Sequence, residues 1–193
     1  MIFTKHIYWF SIICIFTFII SCGRDYYPKP RGYYRIDFPE KKYLKYKSNC
    51  PFNFEFPQYA KVNIDNDNYS EPCWLNIDFP EYKGRIHISY KIIDNNISQY
   101  LEDSRTLAYK HTIKAEAINE KILYNDEKKV YGILYDLKGN VASSVQFFLT
   151  DSTNHFLRGA LYFYVPPNKD SLAPVIDFFR EDILHLIETF EWK

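Results

Sequence analysis

The sequence predicts an α+β domain with a largely antiparallel sheet packed by two amphipathic helices, and three observations point to it. Aromatic and aliphatic residues alternate with polar ones through the first half of the chain, in short runs ended by Pro39, Pro57 and Pro80. After Asn96, and again after Asp170, the apolar residues recur every three or four positions instead. Between these two stretches lie three strand-like runs joined by turn-forming clusters, and connections that short require antiparallel neighbours.

The first element is not part of that domain. A lone Lys5 precedes the uncharged run from Ile7 to Ile20, which is shorter than the roughly 20 residues a membrane-spanning helix needs. The run closes on Ile19-Ile20-Ser21-Cys22, with a cysteine where a lipoprotein signal places the residue that becomes the lipidated N-terminus. Residues 1–21 therefore read as a lipoprotein signal peptide and Cys22 as the lipidation site; the alternatives are an uncleaved anchor or an ordinary secretory signal. Residues 22–33 follow as a tether. Pro28 and Pro30 bracket Lys29 and favour extended geometry, so about ten residues at roughly 3 Å each keep the domain within about 30 Å of its membrane.

Residues 34–193 read as a single globular domain. The full chain carries 24 basic and 24 acidic residues, and processing removes only Lys5 from that balance. Without a basic excess no nucleic-acid partner is indicated. Cys14 lies in the discarded run and Cys22 is taken by lipid, leaving Cys50 and Cys73 in a compartment where disulfides persist. A bridge between them is expected, the alternative being two buried thiols, and their spacing matches no redox or zinc motif.

Within the domain, strands are expected over Tyr34 to Phe38, Phe52 to Phe56, Ala60 to Ile64, Trp74 to Phe79 and Arg85 to Ile93, with a hairpin turn at Tyr82-Lys83-Gly84. The Asn- and Asp-rich stretch from Asp65 to Pro72 reads as a surface loop. It lacks the glycine and the distal Glu of an EF-hand calcium loop. From Asn96 to about Ile122 a helix is expected, carrying Ile97, Leu101, Leu107, Ala108, Ala115 and Ile118 on one stripe, with His111 close to it as a packing residue. A meander follows over Lys129 to Leu137, Val141 to Thr150 and His155 to Val165. In its middle strand Val145, Phe147 and Leu149 share one face with Val141 and Ser143, Ala142, Ser144, Gln146 and Phe148 share the other, and one side is expected to be more open than the other. The last helix, capped by Asp170 or Ser171, buries a stripe from Leu172 to Phe190, and Trp192 closes the core. Arg180, Glu181, Asp182 and Glu188 fall off that stripe and read as solvated charges.

No chemistry-bearing motif emerges. The chain has no Gly-x-Ser-x-Gly elbow, no His-Glu-x-x-His pair and no glycine-rich phosphate loop. Ser143 and Ser144 sit in a strand-like run, and the carboxylates Asp94 and Glu102 make an acid–base pair only on paper. No catalytic residue, metal or cofactor is assigned. Aromatic residues make up 19% of the chain, which fits strand formation first and a contact surface second.

Several long strings are idiosyncratic: PKPRGYYRIDFP at 28–39, CPFNFEFP at 50–57, CWLNIDFPEYKGRIHISY at 73–90, YKHTIKAEAI at 109–118, KKVYGILYDLKGNVASSVQFFLTDSTNHFLRGALYFY at 128–164 and DSLAPVIDFF at 170–179. Over nearly the whole mature length the chain resembles the gliding-motility lipoprotein family GldD of Bacteroidetes. The resemblance implies a cell-envelope lipoprotein required for gliding and tied to the type IX secretion machinery, with Cys22 at the lipidated position and no catalytic residues to carry over. It implies a non-enzymatic accessory or assembly factor whose partners are a membrane and envelope proteins, the domain facing the periplasm. The alternative is a periplasmic ligand-binding module or hydrolase acting on peptidoglycan, polysaccharide or lipid.

Overall fold

A computed structural model describes residues 35–110 and 113–193. The signal peptide, Cys22 with the whole of its tether, Tyr34 and His111 lie outside the described residues. The strands are β1 (Tyr43–Lys45), β2 (Phe52–Asn53), β3 (Glu55–Pro57), β4 (Lys61–Ile64), β5 (Leu75–Phe79), β6 (Gly84–Ile92), β7 (Ala115–Asn125), β8 (Val130–Gly139), β9 (Val145–Thr150), β10 (His155–Phe163) and β11 (Glu191–Trp192), with helices α1 (Ile97–Tyr109) and α2 (Lys169–Thr189). Seven strands form one antiparallel sheet in the order β4-β5-β6-β10-β9-β8-β7. The fold is α+β with two amphipathic helices, as the sequence predicts.

Turn chemistry explains the register. Phe79 faces Gly84 across the β5–β6 hairpin, and Lys83 takes the left-handed conformation (φ 50°) that closes it. Between β9 and β10, Asp151 Oδ1 accepts from the backbone N–H groups of Thr153, Asn154 and His155 at 3.0, 2.8 and 2.8 Å. Gly159 in β10 leaves the space that the Phe147 ring of β9 fills, since a Cβ there would stand 2.3 Å from the ring.

The main core lies between one face of the sheet and α2. Leu75, Ile77, Ile86, Ile88, Val145, Phe147, Leu149 and Leu157 meet Val175, Phe179, Ile183, Leu186 and Phe190. Asn168 caps α2, its side chain accepting from the Ser171 N–H at 3.2 Å, so the helix starts two or three residues earlier than Asp170 or Ser171 would place it. On the opposite face α1 covers a smaller cluster of Ala108, Tyr135, Leu137, Val141, Phe148 and Phe156.

Four expectations are corrected. The predicted helix ends at Tyr109, and Ala115 to Asn125 forms the edge strand β7, paired along its length with β8. Hydrogen bonding to β8 outweighs the helical spacing of Ala115 and Ile118, and in α1 the buried residues are Ser104 and Ala108 while Leu101 is exposed. Tyr34 to Phe38 is no strand: its described residues, 35–38, make no ladder, and Phe38 stacks on Phe178 of α2, centroids 4.3 Å apart. The Phe52 to Phe56 run splits, because Phe52–Asn53 pairs with β11 and Glu55–Pro57 with β1. Finally, β9 starts at Val145 rather than Val141, and all six of its residues are buried, so neither of its faces is open.

Candidate functional site

Two places depart from ordinary packing. The first is a carboxylate. Asp182 is 1% exposed, facing away from the sheet into a cover made by the 35–59 segment. It accepts from Lys41 Nζ at 2.8 Å, from the Tyr43 hydroxyl at 3.0 Å and from the Tyr59 hydroxyl. Lys41 also donates to the Phe178 carbonyl at 2.7 Å, and Tyr43 stacks on His185, which in turn meets Glu55 at 2.8 Å. Burial, and then Asp182 itself, pushes the phenols of Tyr43 and Tyr59 well above the ordinary tyrosine range. The reading of Asp182 as a solvated charge is therefore corrected: α2 is covered on both sides. Arg180 is also partly withdrawn from water, bridging Asp136 at 2.8 Å and pairing with Asp177. Every group in the Asp182 cluster is bonded to another, so its chemistry is that of a clamp holding the N-terminal segment on the helix.

The second place is open. Helix α1 covers the β8–β9 side of its sheet face and the Phe156 end of β10, leaving β6 and the rest of β10 as the floor of a cavity of about 730 Å³. Arg158, His87 and Ser89 stand on that floor, Leu107 of α1 forms one wall, and the loop from Asp65 to Trp74 forms the other. Arg158 is aligned with Ser89 on β6, and His87 with Ala160 on β10, so a small residue stands beside each long one. The guanidinium donates to Gln146 Oε1 at 2.5 Å, and burial pulls it down from its ordinary value without removing its charge. Burial, then the neighbouring Arg85, likewise lowers His87, whose ring meets Tyr162 edge-on at 5.9 Å.

The loop wall is fastened at three points. Cys73 is joined to Cys50 by a disulfide, their Cα atoms 5.6 Å apart. Trp74 Nε1 donates to the Tyr90 carbonyl at 3.0 Å, and Glu71 pairs with Lys91. Cys73 itself sits at φ 65°, a left-handed conformation that non-glycine residues rarely adopt, which turns the chain sharply at the foot of the wall. The cysteine pair noted in the sequence thus fastens the loop that walls the cavity, whereas Arg158 and His87 were not singled out there. The only signal for Arg158 was a lone arginine amid the apolar run of a central strand.

Asp94 and Glu102 are both exposed, and Ser143 is buried ahead of β9 rather than inside it. Among the described residues no group of three or more His, Cys, Asp or Glu side chains is placed to hold a metal, and no helix is long and apolar enough to cross a membrane.

The model of one family, described as gliding motility lipoprotein GldD, matches residues 23–192. The chain belongs to that family. Membership makes it a gliding-motility lipoprotein, anchored in the cell envelope. No curated protein matches it significantly. Among solved structures it is similar to cyanobacterial PsbP (CyanoP) from Synechocystis sp. PCC 6803, with 13% identity over 86% of this chain and 99% of that one and a TM-score of 0.49. Nothing about function follows from a likeness that distant.

Proposed function

We propose that this GldD-family lipoprotein is held at a membrane by lipid on Cys22 and acts there as a non-enzymatic accessory or assembly factor of the gliding and type IX secretion machinery. The tether, residues 22–33, keeps the domain of residues 34–193 near its membrane, facing the periplasm. The open part of the sheet beside α1 supports this reading: a cavity with a charged floor and aromatic walls suits the docking of an envelope partner. Deleting the protein is expected to abolish gliding, and Cys22→Ala at normal protein levels is expected to do the same. Normal gliding by Cys22→Ala cells would remove anchoring from the mechanism. Crosslinking from the cavity rim, for example through a photoreactive residue at Leu107, tests the recognition surface, which predicts an envelope protein among the adducts.

One observation favours a second reading, that of a periplasmic ligand-binding module. The cavity volume falls in the range of small-molecule and peptide sites, and its polar groups converge on the floor.

A further inference from the structure

We propose that the cavity between the 65–74 loop and α1 binds the free carboxylate of a short peptide or protein tail, with Arg158 as the group that receives it. The proposal rests on reading this part of the sheet as a recognition surface, and adds what is recognised. Arg35, Arg85 and Arg180 each pair with a carboxylate and Arg105 stands exposed on α1, whereas Arg158, on the cavity floor, meets no carboxylate among the described residues and lies beside the hydroxyl-bearing rings of Tyr162 and Tyr135. A cation withdrawn from water without a counter-ion is costly, and its planar fork of donors matches a carboxylate in two parallel hydrogen bonds. Gln146, which accepts from it, is 1% exposed, and its own Nε2 donor has no partner among the described residues.

The walls select what the carboxylate is attached to. Trp74, Leu107, Tyr162 and Tyr164 offer apolar and aromatic faces for one or two side chains, and Ser70 and Ser89 offer hydroxyls for peptide groups. Asp65 and Asp67 stand in the loop wall and repel a second negative charge there. A phosphate dianion or an anionic lipid surface would meet that repulsion. A peptide with a single terminal carboxylate on Arg158 and a basic or neutral body beside the loop would meet less of it.

The test uses the mature lipoprotein in detergent micelles and the NMR signals of its arginine side chains. Acetylated tripeptides Lys-Ala-Phe, Lys-Ala-Leu and Lys-Ala-Tyr are titrated as free acids and as C-terminal amides, beside inorganic phosphate and phosphatidylglycerol vesicles. At least one free acid is expected to shift the Arg158 signal and to bind about tenfold or more tightly than its amide. Arg158→Lys, which keeps charge but loses the fork, is expected to weaken binding about tenfold. Because Arg158 variants also lose the Gln146 contact, Leu107→Glu provides a second probe from an exposed position on α1, expected to abolish binding with an unchanged melting temperature. Equal binding of acid and amide, no binding by any acid, full binding by Arg158→Lys and Leu107→Glu, or tighter Arg158-dependent binding of phosphate or vesicles each overturns the proposal. The functional reading fails separately, if Leu107→Glu and Arg158→Lys cells glide normally.

Discussion

Replacing Asp182 by alanine removes the acceptor shared by Lys41, Tyr43 and Tyr59 and leaves a half-buried ammonium and two hydroxyls facing a void. Breaking a buried pair from one side costs roughly 3–5 kcal/mol. The low end applies here, because the Lys41 side chain is 23% exposed and keeps both the Phe178 carbonyl and Glu181, at 3.4 Å. The expected loss is therefore about 3 kcal/mol, or a fall in melting temperature of roughly 6–12 °C for a domain of this size. Tyr59→Phe removes one hydrogen bond to a carboxylate that retains two other donors, and should cost about 1.5 kcal/mol.

The two substitutions act on one cluster, so the Asp182→Ala/Tyr59→Phe double variant should be scarcely less stable than Asp182→Ala alone. Urea unfolding of the mature chain carrying Cys22→Ser measures all three, with the midpoint expected to move at constant slope. A loss below about 1 kcal/mol for Asp182→Ala, or additive losses in the double variant, refutes the view that this carboxylate clamps the N-terminal segment to α2.

The same clamp sets an alkaline limit: burial and Asp182 raise the Tyr43 and Tyr59 phenols, so the unfolded chain ionises near pH 10 while the folded one does not, and stability present below that pH is lost as pH rises past it. Melts across that range should show a shallower loss in Tyr59→Phe than in the wild type. Reducing the Cys50–Cys73 bridge, which spans 23 residues, should lower stability by about 3 kcal/mol and free the loop wall, seen as faster amide exchange from Asp65 to Trp74. Gly159→Ala should cost about 2 kcal/mol by driving a methyl into the Phe147 ring, and pairing it with Phe147→Leu should recover part of that loss in the same urea assay.

How far the fold was legible depended on whether a segment's neighbours were its own. The stripe of α2 from Val175 to Phe190 needs only one sheet face to make sense, and its period shows it directly. The hairpins β5–β6 and β9–β10 are closed by local turns, and their strands were placed to within one or two residues except at the start of β9, which was read four residues too early. Elsewhere the reading slipped, once beside a near neighbour and once because the partner is distant. The Ala115 to Asn125 segment has helical spacing by coincidence and becomes a strand because β8 lies beside it, after a turn in which Lys129 takes φ 50°. Phe52–Asn53 finds its partner in the last strand, a pairing no local pattern announces.

The site was harder to read for a related reason: both unusual places are made by covering, or failing to cover, a face. Phe178 and Phe179 are adjacent on a helix, so their side chains point about 100° apart and cannot both rest on the sheet. Phe179 packs under β5, and Phe178 stacks with Phe38 and Tyr59 on the other side. That pair was the sequence signal for a second cover on α2, and hence for Asp182 being withdrawn from water. The cavity is the converse case. A helix continuing to Ile122, as first expected, could have roofed more of the sheet face; ending at Tyr109, α1 leaves Leu107 partly exposed and Arg158 below it uncovered. The error in the length of one helix and the failure to single out Arg158 thus meet at one place, because Leu107, near the end of α1, lines the same cavity as Arg158.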